Sequence, residues 1–259
     1  RFSFHKSQEL NMASDLSGKR IIVTGAATGI GRATTLRVSA NGAKVAAFDI
    51  NDADGAATIS DVNESGGDAR YWHVDVRDET AVAGAVAAAE VWLGGVDVLI
   101  HIAGVLQGAA VELDEFPEDT WDTVLDINLR GSFTICKYVT AVMKKYGSGV
   151  IILTASGAGV TGGSSSLAYG SSKGGVHGLS LVMESHLEKY NIRVNDVMPG
   201  SVATPLKVAN VQDMHEAGGK KGNLEEKISA LVSPDDVSKV YAFLASDDAN
   251  MIRGSVRTR

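Results

Sequence analysis

The sequence predicts a doubly wound α/β domain, a parallel sheet with helices on both faces. Three observations carry this. Short β-branched runs alternate with helical stretches from residue 19 to residue 197. The first run, and that over 96–102, are largely apolar, as strands covered on both faces are. The residues that end them, Gly25, Asp49, Asp75, Gly104, Ser156 and Pro199, lie where an open parallel sheet builds its ligand crevice.

Lys19-Arg20-Ile21-Ile22-Val23-Thr24 is the first strand and stops at Gly25. The loop Gly25-Ala26-Ala27-Thr28-Gly29-Ile30-Gly31 leads into a helix over 32–41, which Gly42 closes. The second strand is 44–49. A helix over 51–65 ends at Gly66-Gly67, and the strand 69–74 runs into Asp75-Val76. An alanine-rich helix over 79–92 ends at Gly94-Gly95, and the strand 96–102 reaches Ala103-Gly104. A long helical region over 119–146, a strand over 150–155, a helix over 167–190 and a strand over 192–197 complete the alternation. No repeat, linker or low-complexity tract divides the chain, so one domain is expected over 17–259, behind an N-terminal extension over 1–16. Met12 reads as a plausible natural start, with the residues before it disordered or left from expression.

Composition narrows the function. Of 259 residues, 44% are hydrophobic, enough for a sizeable core, and the net charge of −7 is the opposite of a nucleic-acid footprint. The one cysteine, Cys136, excludes an internal disulfide and fits a reducing, cytoplasmic compartment. It lies in an apolar helical stretch, where a buried structural thiol is expected rather than a nucleophile. No run reaches the ~18 apolar residues of a membrane span, and the polar start lacks a signal-peptide core. His5, His73, His177, His186 and His215 show no ligand spacing, so no metal is expected.

The glycine loop sits between a strand and a helix N-terminus. There, bare backbone N–H groups and the helix dipole suit a phosphate, and no Cβ blocks the approach. Its spacing is Gly-x-x-x-Gly-x-Gly, not the Gly-x-Gly-x-x-Gly of the long dehydrogenases. Asp49 ends the second strand, one helix on from Gly31, where an acid accepts hydrogen bonds from an adenosine ribose and repels a 2′-phosphate. No Arg or Lys precedes Arg32 in the loop or falls within 50–54, so NAD is expected rather than NADP. The competing role, a helix N-cap, suits Asp52 better than Asp49.

Tyr169-Gly170-Ser171-Ser172-Lys173 places a phenol and an ammonium one helical turn apart. A phenol titrates near pH ~10, too high for a base at neutral pH. A cation about 5 Å away at an effective dielectric of about 20 favours phenolate by roughly 3 kcal/mol. A second positive charge, such as an oxidised nicotinamide, brings it nearer the range of a general base. Alone, such a pair also fits a solvated helix face. Ser156 ends the strand that precedes Tyr169, whereas Ser164, Ser165 and Ser166 occupy a Gly/Ser loop with no strand end to fix them.

These pieces resemble the short-chain dehydrogenase/reductase family in its single-domain, Rossmann-like form. The match is carried, in order over roughly residues 17–256, by Thr24-Gly25-x-x-x-Gly29-Ile30-Gly31, Asp75-Val76, Ala103-Gly104, Asn128, Ser156, Tyr169-x-x-x-Lys173 and Pro199-Gly200-x-x-x-Thr204. The resemblance implies a catalytic set of Asn128, Ser156, Tyr169 and Lys173. Tyr169 then exchanges a proton with the alcohol or ketone while hydride moves to or from nicotinamide. Lys173 lowers the Tyr169 pKa and holds the nicotinamide ribose, and Ser156 binds the substrate oxygen. Asn128, a poor helix former in mid-helix, supports a proton-relay water by the same resemblance, against the plain alternative of a surface asparagine. It further implies that Asp75 and Val76 meet the adenine, that Ala103 and Gly104 pass the cofactor, and that Val202 and Thr204, beyond Pro199-Gly200, meet the nicotinamide carboxamide.

Three departures stand out. The usual Asn-Asn-Ala-Gly reads His101-Ile102-Ala103-Gly104, so the hydrogen bond of the asparagine replaced by Ile102 is absent or supplied otherwise. His101 is expected to be a packed core histidine rather than a catalytic one. The tail Arg253-Gly254-Ser255-Val256-Arg257-Thr258-Arg259 stops where the family often continues into Asp-Gly-Gly, which puts pocket closure and subunit contact in question.

Residues 204–222 read as a flexible, partly apolar lid, with Leu206, Val208, Val211 and Met214 beside Gly218-Gly219. Lys220-Lys221 is expected to be a solvated pair rather than a hook for an acidic substrate. The expected substrate is a small or medium apolar secondary alcohol and its ketone, cyclic ones included. A homodimer or homotetramer is implied by the resemblance, and Leu179, Val182, Met183, His186 and Leu187 form a stripe that fits either that interface or internal packing. Three alternatives stay open: an NADP-preferring ketone reductase, a catalytically silent dinucleotide sensor, and an epimerase or dehydratase. The last is disfavoured because those enzymes usually carry a larger substrate domain than the short stretch after Thr204.

Overall fold

The computed structural model describes residues 14–259. Strands β1 (Arg20–Thr24), β2 (Lys44–Asp49), β3 (Asp68–His73), β4 (Val98–His101), β5 (Gly149–Thr154), β6 (Ile192–Met198) and β7 (Gly254–Arg257) form one sheet in the order β3-β2-β1-β4-β5-β6-β7. Every pairing is parallel. From β1 the chain builds outward to β3, then crosses back to lay β4 on the other side of β1. The strand order therefore reverses at the carboxyl ends of β1 and β4, the place where such sheets open a crevice.

Helices α1 (Gly29–Ala40), α2 (Asp52–Glu64), α3 (Glu79–Leu93), α4 (Glu118–Leu125), α5 (Gly131–Tyr146), α6 (Leu167–Leu187), α7 (Pro205–Ala217), α8 (Leu224–Ser229) and α9 (Pro234–Ala245) complete the fold. The pleat sends Ile22, Leu99 and Ile151 to one face, where Val82 of α3, Ile135 of α5 and Val176 of α6 cover them. Ile21, Ile100 and Ile152 point to the other, against Val38 of α1 and Tyr241 of α9. This two-sided burial is why the central strands β1, β4 and β5 are largely apolar. Cys136 is buried in the first core, and burial pushes its thiol up to about 12, so it packs as a small apolar residue.

The structure departs from the sequence reading in several places. Helix α1 begins at Gly29 rather than at Arg32, because the second half of the glycine loop is already helical. The long helical region is broken into α4, a π turn at Asp126–Arg130 and α5. That turn buries Asn128 completely, so it is no surface asparagine. Residues 204–222 are mostly the ordered helix α7 rather than a lid of loop, capped by the Thr204 hydroxyl, which accepts from Lys207 N at 3.1 Å. The C-terminal segment supplies β7, a strand the sequence reading did not include, and Thr258 N donates to Met198 O at 3.1 Å. The start of the domain also moves. Leu16 is fully buried and its N–H donates to Asn41 O, so the extension cannot reach residue 16, and positions 1–13 lie outside the described residues. The α6 stripe divides: Leu179, Met183 and Leu187 belong to the core, while Val182 is exposed.

Among the described residues, no helix is long and apolar enough to cross a membrane, and no three His, Cys, Asp or Glu side chains group as a metal site would.

Glycine at position 31 is a packing requirement, since a Cβ there would lie 1.8 Å from Gly25 O. Gly31→Ala is expected to cost about 1–3 kcal/mol, a fall in Tm of roughly 2–12 °C for a chain of this size. Gly84→Ala, in open space on α3, is the control and should raise Tm slightly. Equal melting of the two variants in a thermal scan would refute this account of the loop.

Candidate active site

At the reversal point lies a cavity of about 540 Å³, within the usual range of small-molecule sites. Its wall runs from the glycine loop across the carboxyl ends of the strands to the start of α7. All six strand-end residues singled out in the sequence, Gly25, Asp49, Asp75, Gly104, Ser156 and Pro199, face it.

At one end Thr28 is the N-cap of α1 and makes no side-chain cap bond, so the first-turn N–H groups are left for an anion. Gly25 takes a left-handed φ of +68°, and a Cβ on it would lie 2.7 Å from Ala103 N. Only glycine lets β1 and β4 close this tightly. Asp49 Oδ2 accepts from Ala27 N at 2.9 Å and Oδ1 from Asn51 N at 3.0 Å, which fixes the carboxylate at the rim with lone pairs to spare. Thr28, Gly29, Ile30, Val76, Ala103, Gly200, Val202 and Thr204 also line the cavity. Gly31 does not line it and serves the packing described above. These features fit a dinucleotide, with an open helix N-terminus for phosphates and a carboxylate one strand away for ribose hydroxyls.

At the other end α6 brings in Tyr169 and Lys173. Lys173 is buried and its Nζ donates to Thr154 O at 2.7 Å. Burial brings its ammonium down to about 8. Nζ lies 5.9 Å from the centre of the Tyr169 ring. The sequence reading had Lys173 lowering the phenol pKa. In the protein alone the direction is the reverse: burial pushes the Tyr169 phenol up, and the facing Ser156 hydroxyl only partly opposes it. The physical reason is the burial of the phenol, which penalises its charged form.

Asn128 is not on the cavity wall. Its Oδ1 accepts from Val105 N at 2.8 Å, and its Nδ2 donates to Val105 O at 2.9 Å and to Ser172 Oγ at 2.9 Å. It thus ties the loop after β4 to α6 between the two residues of the Tyr-Lys pair. The loop has a second anchor in Thr24, whose Oγ1 accepts from Ile102 N and Ala103 N, each at 3.2 Å. Thr24 Oγ1 also lies 2.7 Å from His101 Nδ1, a buried hydrogen bond that ties β1 to β4. Burial, with Lys173 adding to it, holds His101 down at about 3, so it is the neutral core histidine expected. Main-chain bonds to Thr24 and Asn128 hold this loop, with Ile102 packed against the core.

The sequence reading missed several wall residues. Arg77 follows Asp75-Val76 directly and clasps Asp75, with Nε 3.0 Å and a terminal nitrogen 2.6 Å from Oδ2. This guanidinium holds the Asp75 carboxyl below its usual range. Ser164 and Ser165, set aside for want of a strand end, also line the cavity, as do Lys207 and Asn210 of α7. A signal for the last two was present, since Thr204 as N-cap puts position 207 in the first turn of a helix.

Comparison with known proteins agrees with this geometry. The family model described as short chain dehydrogenase matches residues 19–215. The 2,5-dichloro-2,5-cyclohexadiene-1,4-diol dehydrogenase of Sphingobium indicum is 37% identical over 243 residues, 93% of this chain and 95% of that one. The solved structure of NAD+-bound xylitol dehydrogenase superposes with a TM-score of 0.86 at 32% identity, covering 93% of this chain and 97% of the other. An actinorhodin polyketide ketoreductase variant with NADPH also reaches 0.86, at 27% identity, covering 93% and 95%.

The buried ammonium of Lys173 has a stability signature. A lysine titrates near 10.5 unfolded and at about 8 here, so between those values the unfolded chain binds more protons and stability rises with pH. Fully expressed, the gap corresponds to about 3 kcal/mol. The Tm of Lys173→Met minus that of wild type is expected to fall steadily from pH 7.5 to 10. A difference flat with pH would show that the ammonium is not desolvated.

Proposed function

The chain belongs to the short-chain dehydrogenase family and is an oxidoreductase of alcohols and ketones; from that premise we propose that it is NAD-dependent, with Tyr169 as the general acid and base. When bound, nicotinamide supplies the acceptor or donor of hydride. The observation that carries the reading is the convergence of Ser156, Tyr169 and Lys173 at one end of a cavity whose other end is an open helix N-terminus beside Asp49.

In the oxidising direction Tyr169 Oη takes the proton of the substrate hydroxyl as the carbinol C–H bond breaks. In reduction it returns that proton to the carbonyl oxygen. Ser156 Oγ donates to the substrate oxygen and stabilises the charge that develops there. Lys173, fastened to Thr154 O, keeps two N–H donors free for a ribose hydroxyl. Burial keeps Tyr169 protonated, which suits the acid role, and the positive charge of an oxidised cofactor favours the phenolate. Asn128 positions Val105 and α6 rather than touching the reacting atoms.

Two features support NAD over NADP. Asp49 presents a carboxylate where a 2′-phosphate would sit. Arg77, the nearby cation on the wall, is already neutralised by Asp75. We further propose a homodimer or homotetramer formed through α5 and α6, supported by exposed Phe133, Leu181 and Val182, and a cytoplasmic location consistent with the free thiol.

The test is absorbance at 340 nm with NAD or NADP and a panel of secondary alcohols. Tyr169→Phe should lower kcat by about 10²–10⁴-fold with the KM for NAD little changed. Asp49→Ala should lower kcat/KM with NAD about tenfold, the loss of one or two hydrogen bonds, and narrow the preference over NADP. Alcohol oxidation should quicken as pH rises, because burial holds the phenol proton. Wild-type activity surviving in Tyr169→Phe would remove the mechanism, and faster turnover with NADP would remove the Asp49 argument alone.

A further inference from the structure

The substrate end of the cavity holds a cation that the proposed chemistry does not use. Lys207 stands in the first turn of α7, half-buried, with its side chain on the cavity wall. Its Nζ donates to Asn210 Oδ1 at 3.3 Å. Asn210 is itself buried at 3% exposure, and its Nδ2 donates to Ser165 Oγ at 2.8 Å, which fixes its amide so that the oxygen faces the lysine. Ser165 belongs to the loop ahead of Tyr169 and accepts, through its carbonyl, from Ala110 N at 2.8 Å. The lysine is therefore tied to the loop ahead of Tyr169 through two side chains, Asn210 and Ser165.

Among the described residues no carboxylate lies within 4 Å of Lys207, whereas Lys19, Lys137, Lys145 and Lys239 are each paired with one. The wall's other charges are committed elsewhere. Lys173 is bonded to Thr154 O, and Asp75, just after β3, to Arg77. Asp49, at the end of β2, is braced by Ala27 N and Asn51 N. A cation with two N–H donors turned to a partly desolvated cavity, in a chain of net charge −7, is the electrostatic complement of an anion. Ser164, Ser165 and Asn210 beside it, together with Leu206, give this end a mixed polar and apolar wall.

Resting on the oxidoreductase reading, we propose that Lys207 is a specificity-determining residue that binds a carboxylate of the substrate. The substrate class is then a secondary hydroxy acid and its oxo acid, with the carboxylate at Lys207 and the carbinol carbon at Ser156 and Tyr169. The same ammonium chemistry would also suit the pyrophosphate of the dinucleotide. The start of α7, Thr204 and Pro205, abuts Gly29 of the glycine loop, but the tether of Lys207 runs through Asn210 to Ser165, ahead of Tyr169, and this favours the substrate.

The test uses matched pairs of secondary hydroxy acids and their methyl esters with the full-length enzyme. Wild type should turn over the acids at least tenfold better in kcat/KM than the esters. Lys207→Gln should reduce that ratio at least tenfold, and Lys207→Arg, which keeps the charge, should retain most of it. Calorimetry of the corresponding oxo acids and esters on the enzyme–NAD complex gives a second readout that needs no turnover. An acid preference in calorimetry that Lys207→Gln removes supports the carboxylate site even if no pair is oxidised, and absent turnover then counts against the oxidoreductase chemistry instead. Equal binding of acid and ester overturns the proposal, as does a ratio unchanged in Lys207→Gln. A loss confined to the KM for NAD assigns the ammonium to the cofactor and also overturns it.

Discussion

Lys173 is a cation taken out of water and held by one main-chain carbonyl, and much of the site follows from that single bond. A buried ammonium is unfavourable unless paired. Here the partner is Thr154 O, at the very end of β5. The bond therefore fastens the middle of α6 to the carboxyl edge of the sheet and sets the depth at which Tyr169, one turn earlier, meets the cavity. The arrangement trades stability for a charge placed near the reacting end, as functional sites commonly do.

Around that bond lies a set of buried polar residues with few loose ends. Thr154 Oγ1 donates to His101 O and receives the Tyr241 hydroxyl at 2.8 Å, linking β5 to β4 and to α9. Thr24 spends its hydroxyl on the loop after β4 and on His101. Asn128 spends its amide on Val105 and Ser172. The loop carrying Ala103 and Gly104 is thus fixed by bonds to its main chain, which do not depend on its own side chains. This explains how Ile102 can stand where an asparagine is usual. Within this set, His101 Nε2 is left without a partner among the described residues.

The cavity divides along the same lines. The end proposed to take the dinucleotide is made largely by backbone: an uncapped helix N-terminus, glycines that let strands close up, and a carboxylate braced by two N–H groups. The end proposed to take the substrate is made by side chains from segments far apart in sequence, Ser156, Tyr169, Ser165 and the α7 pair Lys207 and Asn210. Backbone features recur wherever a strand meets a glycine turn and a helix, whereas the second set depends on how α7 lies over the loop ahead of α6.

That division also separates what the sequence determined from what required the tertiary structure. The alternation of apolar runs and helices, and the residues that end each run, were legible because a parallel sheet buried on both faces forces continuous hydrophobic strands and puts its ligand edge at their carboxyl ends. Tyr169, Lys173 and Ser156 were legible for the same local reason, a helical turn and a strand end. The break at Asn128, the strand β7, the burial of Leu16 and the cation at Lys207 were not. Each depends on a contact between residues distant in the chain: Asn128 with Val105, β7 with β6, Leu16 with Asn41, and Asn210 with Ser165. The direction of the Tyr169 shift belongs with them. Spacing puts an ammonium near a phenol, but only packing decides that burial outweighs it and that the ammonium turns to Thr154 instead.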